Sequence, residues 1–229
     1  MNSTNADLKK MHKAFGFIEM ATSGATLSQA ERVVVTEGVA AFVEWTHAAQ
    51  VQAGWWQDPE TGQRVVRNVF ELHALFHSEV SEAMEAHRKN NRMDDKLPNR
   101  RGLEVELADL LIREGDFVGS RDMAYEFGSI VSLLAANCAD VVEWLAAPNV
   151  ADRLDRIHVE LGLSSHFHRS ETDEKGVVHL GRALLLAVGL CHRLGLSAFE
   201  AAVVKMAYNA RRVDHTLEYR RDATDGKAY

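Results

Sequence analysis

The sequence predicts an all-α fold. Three observations carry that expectation. Apolar residues recur at helical spacing rather than in strict alternation. Two capping boxes open apolar segments. Only three prolines, Pro59, Pro98 and Pro148, interrupt 229 residues, and each stands in a polar break where a helix should stop.

The elements follow from these breaks. Ser28-Gln29-Ala30-Glu31 reads as a capping box and starts a helix to about Gly54, with Val35, Val39, Phe42 and Val43 on one side. Gln57 to Gly62 reads as a turn. A second helix is predicted over 66–90, and a polar loop from Asn90 to Arg101 separates it from a third over 102–119. A fourth is predicted over 122–147, with Ile130, Leu133, Leu134 and Val141 buried, then a short amphipathic piece over 152–163. Residues 164–176 are polar and rich in His and Glu, which predicts a loop. An apolar helix over 177–194 ends at Gly195. Ser197-Ala198-Phe199-Glu200 is the second capping box, opening a last helix to about His215. The polar tail from Arg220 is expected to fray.

Composition narrows the function classes. A chain that is 46% hydrophobic has material for a sizeable core without disulfide staples. The net charge of −7 argues against a nucleic acid polymer, which calls for a basic excess. It permits a small phosphorylated ligand whose phosphates are met by a dication held on carboxylates. Cys138 and Cys191 lie apart in apolar helical stretches and read as buried thiols of a reducing compartment. The polar start of the chain lacks a signal-peptide pattern, and no run of 18 uninterrupted apolar residues occurs. A cytoplasmic protein without a membrane span is expected.

The informative feature is a set of carboxylates on apolar stripes. Leu72, Leu75 and Phe76 define the stripe of the second helix, and its continuation lands on Glu79 and Glu82. The third helix has Leu103, Leu107, Leu110 and Phe117, with Glu106 inside the stripe and Asp109 one step aside. Four residues after Glu79, Glu82 and Glu106 come Ala83, Ala86 and Leu110, so only Asp109 has a local base, Arg113. Carboxylates turned inward without partners are costly, and a hard dication with oxygen ligands relieves that cost. Taken singly, each acidic pair also fits an ordinary solvated helix face.

The last predicted helix carries Lys205, Tyr208, Asn209 and Arg212 at i, i+3, i+4 and i+7, a face able to hold polyphosphate. An ordinary basic surface is the competing reading. Trp55 and Trp56 read as core or interface aromatics before a base-stacking role. Glu44-Trp45-Thr46-His47 is a Glu-x-x-His motif, but a di-iron carboxylate bundle needs a second one, which is absent from the sequence. A non-catalytic helical binding protein is the other alternative; there His166 and His168 would matter more.

The ordered set Glu79-Val80-Ser81-Glu82, Glu106-Leu107-Ala108-Asp109 and Lys205-Met206-Ala207-Tyr208-Asn209-Ala210-Arg211-Arg212 resembles the MazG-like all-α NTP pyrophosphohydrolases. The likeness extends to Asp94-Asp95-Lys96-Leu97-Pro98 between the acidic motifs and covers about 66–119 and 190–215. It implies a helical bundle that assembles as a homodimer or homotetramer. The implied activity is Mg²⁺-dependent cleavage of a nucleoside triphosphate to monophosphate and pyrophosphate, with Mn²⁺ as a substitute metal. Glu79, Glu82, Glu106 and Asp109 are the implied metal ligands and catalytic residues. Lys205, Asn209 and Arg212, with Tyr208 and Lys96, are the implied phosphate contacts. The chain departs from compact members in one respect: Asp109 and Lys205 lie 205 − 109 = 96 positions apart. The expected organisation is therefore one helical domain over 1–229, with a core over 27–119 and 177–215 and a helical insertion over 120–176. Whether the last helix reaches the acidic pair is the open point of that expectation.

Overall fold

The computed structural model describes residues 5–169 and 173–222. Among these the fold is all-α: ten α-helices, one 3₁₀ turn and no strand. The helices are α1 (Asn5–Thr22), α2 (Gln29–Gln52), α3 (Val69–Arg88), α4 (Gly102–Gly119) and α5 (Ala124–Ala136). They continue with α6 (Ala139–Leu145), α7 (Val150–Arg169), α8 (Asp173–Arg193), α9 (Ala198–Asn209) and α10 (Leu217–Asp222), and the 3₁₀ turn covers Val213–His215.

Local chemistry sets most ends. Ser28 caps α2, its hydroxyl accepting from the Glu31 amide while the Glu31 carboxylate accepts from the Ser28 amide at 2.7 Å. Asn68 caps α3 through the Phe70 amide. Gly195, at φ +69°, ends α8 in the left-handed region. The second predicted capping box forms only by half. Ser197 accepts from the Glu200 amide at 3.3 Å, but its own amide donates to the Glu104 carboxylate, and Glu200 pairs with His12 instead.

Several expectations need correction. α1 was not predicted, yet Met11, Phe15 and Ile18 form a buried stripe and Phe15 stacks on Phe199 at 4.5 Å. The segment 122–147 is two helices, α5 and α6, bent by 73° at Asn137-Cys138. Within α5 the buried face is Phe127, Val131 and Ala135, whereas Leu133 is exposed and Ile130 and Leu134 are half-buried. The predicted loop over 164–176 is helical wherever it is described: α7 runs to Arg169, α8 starts at Asp173, and 170–172 lie outside the described residues. The last long helix stops at Asn209, six residues before His215. Of the tail expected to fray, Arg220 to Asp222 belong to α10, and 223–229 lie outside the described residues.

α4 is the axle of the bundle. It packs against α2, α3, α5, α8 and α9, and fifteen of its eighteen residues are buried. Gly115 and Gly119 bring it close to α2: a β-carbon on them would stand 2.4 Å from Thr46 Oγ1 and from His47 Cβ. The segment expected as an insertion packs on the rest: α5 on α2, and α7 on α3 and α8, with Val131, Leu154 and Leu161 in the same core cluster as Phe42 and Leu107. Residues 174–193 of α8 are long and apolar enough to cross a membrane, but 72% of that span is buried inside the protein, the signature of a core helix. Cys138 and Cys191 are buried free thiols.

Glu114, on α4, stands out in this core. It is fully buried, neither carboxyl oxygen has a hydrogen-bond partner among the described residues, and burial pushes its carboxyl well above the usual range. An unpartnered buried polar group costs on the order of 1–3 kcal/mol. Glu114→Met, close in volume and shape, should therefore raise the melting temperature by several degrees. Thermal unfolding followed by circular dichroism checks this; a lower melting temperature would reveal a stabilising role for the carboxyl.

Candidate functional site

α3 and α4 lie side by side, and their i, i+3 acidic pairs open onto one cavity of about 350 Å³. Glu79, Glu82, Glu106, Asp109, Lys96, Lys205, Asn209 and Arg212 all line it. Tyr208 does not. Its ring lies 5.9 Å from the Arg212 guanidinium and serves as a platform beside the cavity.

Glu79, Glu82 and Glu106 each bring a carboxylate oxygen within 4.8 Å of the other two. Their burial is graded: Glu79 is buried, Glu106 half-buried and Glu82 exposed. The apolar-stripe expectation thus holds for Glu79 and fails for Glu82, which is exposed beside the buried Ala83. Asp109 stands apart from the triad, with its Oδ2 accepting from Lys205 Nζ at 2.5 Å. That bond answers the open point of the sequence: α9 packs on α4 and reaches the acidic pair despite the 96 intervening positions.

Two partner assignments change. Arg113 lies four residues after Asp109, yet its Nε donates to Glu79 Oε1 at 2.6 Å across the α3–α4 contact. Arg212 is not on a continuous helical face with Lys205. α9 ends at Asn209, and Arg212 enters the cavity from an extended residue, its guanidinium fixed by Asp214. The loop carrying Lys96 is shaped by Asp94 Oδ1, which accepts from the Lys96 and Leu97 amides at 2.9 and 2.7 Å.

The lining also includes Gln50, Trp55, Arg67, Arg113, Asp116 and His215, none of them among the expected site residues. Trp55 is half-buried and meets His215 edge-on, while Trp56 is buried and donates to Asp116 Oδ1 at 2.9 Å. His47 of the Glu-x-x-His motif also bonds Asp116, at 2.7 Å, while Glu44 is exposed, so this motif adds no ligand to the triad. His166 and His168 lie on α7, not in a loop, and His168 packs on His73 and Phe117. A sequence signal for part of this lining did exist. Asp109, Arg113 and Asp116 are spaced i, i+4 and i+7 and share a face of α4.

Electrostatics follow from crowding. Burial, then the Asp109 and Glu82 charges, raise the Glu106 carboxyl to about 8, with Lys205 opposing. Burial also raises Glu79, although Arg113 pulls the other way. Burial would lower Lys205, but the charge and hydrogen bond of Asp109 outweigh it and leave the ammonium above its usual range. The cavity wall holds five carboxylates, Glu79, Glu82, Glu106, Asp109 and Asp116, and five cations, Arg67, Lys96, Arg113, Lys205 and Arg212. With oxygens as its only clustered donors, the triad suits a hard dication such as Mg²⁺ or Mn²⁺. Like charges held this close need such a countercharge at neutral pH.

Comparisons with protein-family models, curated proteins and solved structures find no match to this chain.

The Glu106 shift has a sign that can be measured. The folded protein holds that proton to about pH 8, whereas the unfolded chain releases it near 4.5, so the folded state binds more protons between those values. Metal-free protein should lose stability as pH rises through this window, and Glu106→Gln should flatten the decline. Urea unfolding in EDTA at pH 5 and pH 8 measures both slopes; equal slopes in the two proteins would contradict the assignment.

Proposed function

We propose that this protein is a Mg²⁺-dependent nucleoside triphosphate pyrophosphohydrolase, converting a nucleoside or deoxynucleoside triphosphate and water into the monophosphate and pyrophosphate. The observation that carries the reading is one cavity in which three converging carboxylates face Lys205, Asn209 and Arg212. The resemblance of its motifs to the MazG-like enzymes points the same way.

Glu79, Glu82 and Glu106 would hold the dication, and Asp109 would join them by yielding part of its bond to Lys205. When bound there, a dication neutralises charge on the leaving pyrophosphate and lowers the pKa of a coordinated water. The chain supplies the rest. Lys205 acts on the phosphates as a point charge, and Arg212 as a fork prepositioned by Asp214 and Tyr208. Asn209 adds an amide on the same side, and Lys96 closes the cavity from the 89–101 loop. A carboxylate of the triad takes the proton of the attacking water. Lys205 and Asn209 are held on a packed helix and Arg212 by Asp214, so charge developing on the phosphates meets partners already in place. Assembly as a homodimer or homotetramer and action on the cytoplasmic nucleotide pool belong to the same proposal.

The test is a panel of ribo- and deoxynucleoside triphosphates with Mg²⁺, read by pyrophosphate release. At least one should be turned over, and Glu106→Gln and Asp109→Asn should each lower turnover by at least about 100-fold while the circular dichroism spectrum is retained. Full activity in either variant would refute the site. No turnover of any nucleotide would favour a non-catalytic binding protein.

A further inference from the structure

Glu79 and Arg113 pair across the α3–α4 contact rather than within one helix. Arg113 is more than one-third exposed on the cavity wall, and among the described residues the bond to Glu79 is its single hydrogen bond. Glu79 is buried, so Arg113 is the charge that compensates it in the metal-free protein. Lys205 is likewise paired with Asp109, here with the cation as the more buried partner. Two of the cavity's cations are thus paired with its own carboxylates, Arg113 with Glu79 and Lys205 with Asp109.

We propose that Arg113 is a further phosphate-holding residue, stored on Glu79 until a dication takes that carboxylate. The inference rests on the reading of the site as one for metal and triphosphate. Once Glu79 ligates a dication, its carboxylate no longer balances the guanidinium, and the dication repels it. Arg113 is then an unbalanced fork on the cavity wall, and a phosphate is its natural acceptor. The same exchange weakens polyphosphate binding to the metal-free protein, because Arg113 and Lys205 are occupied there. Metal and polyphosphate binding are coupled by the transfer of one cation.

Calorimetric titration of inorganic tripolyphosphate into metal-free protein tests the storage directly, without turnover. Glu79→Gln should release Arg113 and bind tripolyphosphate roughly tenfold more tightly than the original protein. The double variant Glu79→Gln, Arg113→Met should lose that gain. If the double variant keeps the gain, simple loss of negative charge explains it and the proposal falls. If Glu79→Gln binds no better than the original protein, the proposal also falls. A second measurement leaves the buried glutamate intact. Arg113→Met removes the cation that competes for Glu79, and Mn²⁺ titration should show several-fold tighter binding; unchanged or weaker binding would mean that Arg113 only holds Glu79 in place. These titrations are separate from the nucleotide panel. Storage with no turnover would sink the enzymatic reading alone, and turnover without storage would sink the role of Arg113 alone.

Discussion

The structure is organised around a repulsion. Two neighbouring helices present carboxylates to the same space, and three of them approach within 4.8 Å. Such a cluster persists only if the surrounding fold holds it and supplies opposite charge. The cavity wall meets that demand from separate elements: Arg113 from α4 itself, Lys205 from α9, and Arg212 from the extended residue beyond α9. Arg113 and Lys205 each bond one of the acidic residues directly, whereas Arg212 is fixed by Asp214.

The burden of holding this arrangement falls on α4. One face of the helix fills the core with Leu107, Leu110, Leu111 and Phe117, and the other carries Glu106, Asp109, Arg113 and Asp116 into the cavity. Close packing of Gly115 and Gly119 against α2 leaves α4 little freedom to shift, which fixes the spacing of the carboxylates it carries. Glu104 has a supporting role at the start of the same helix. Its carboxylate accepts from the Arg101 and Ser197 amides, so one side chain fixes the entry of α4 and the entry of α9.

Much of this was legible in the sequence, and the exceptions have physical reasons. Helix α4 and the capped start of α2 were readable because apolar period and capping chemistry agreed there. α1 is hard to read from the sequence because its stripe of Met11, Phe15 and Ile18 is diluted by charged residues; it is buried by packing on α2 and α8, with Phe15 against Phe42 and Phe199. The split between α5 and α6 follows from Asn137 and Cys138, which interrupt an apolar run without the usual proline or glycine marker. The stripes mark Glu79 as inward-facing but not Glu82, which is exposed, and they do not show the partners. Local spacing offers Arg113 to Asp109, whereas the packing of α3 on α4 gives it to Glu79. Pairing across helices is a tertiary fact that one-dimensional periodicity does not carry. Arg212 was placed on the right side of the site for the wrong reason, since a turn rather than a helical face brings it there.

The bond between Lys205 and Asp109 spans 96 positions of chain. Closing a loop of that length is entropically slow compared with forming any helix it contains. The acidic half of the cavity needs only α3 and α4, which are neighbours in sequence, while the basic half needs the chain to return past α5 to α8. Completing the cavity therefore carries a loop-closure cost that its acidic half alone does not.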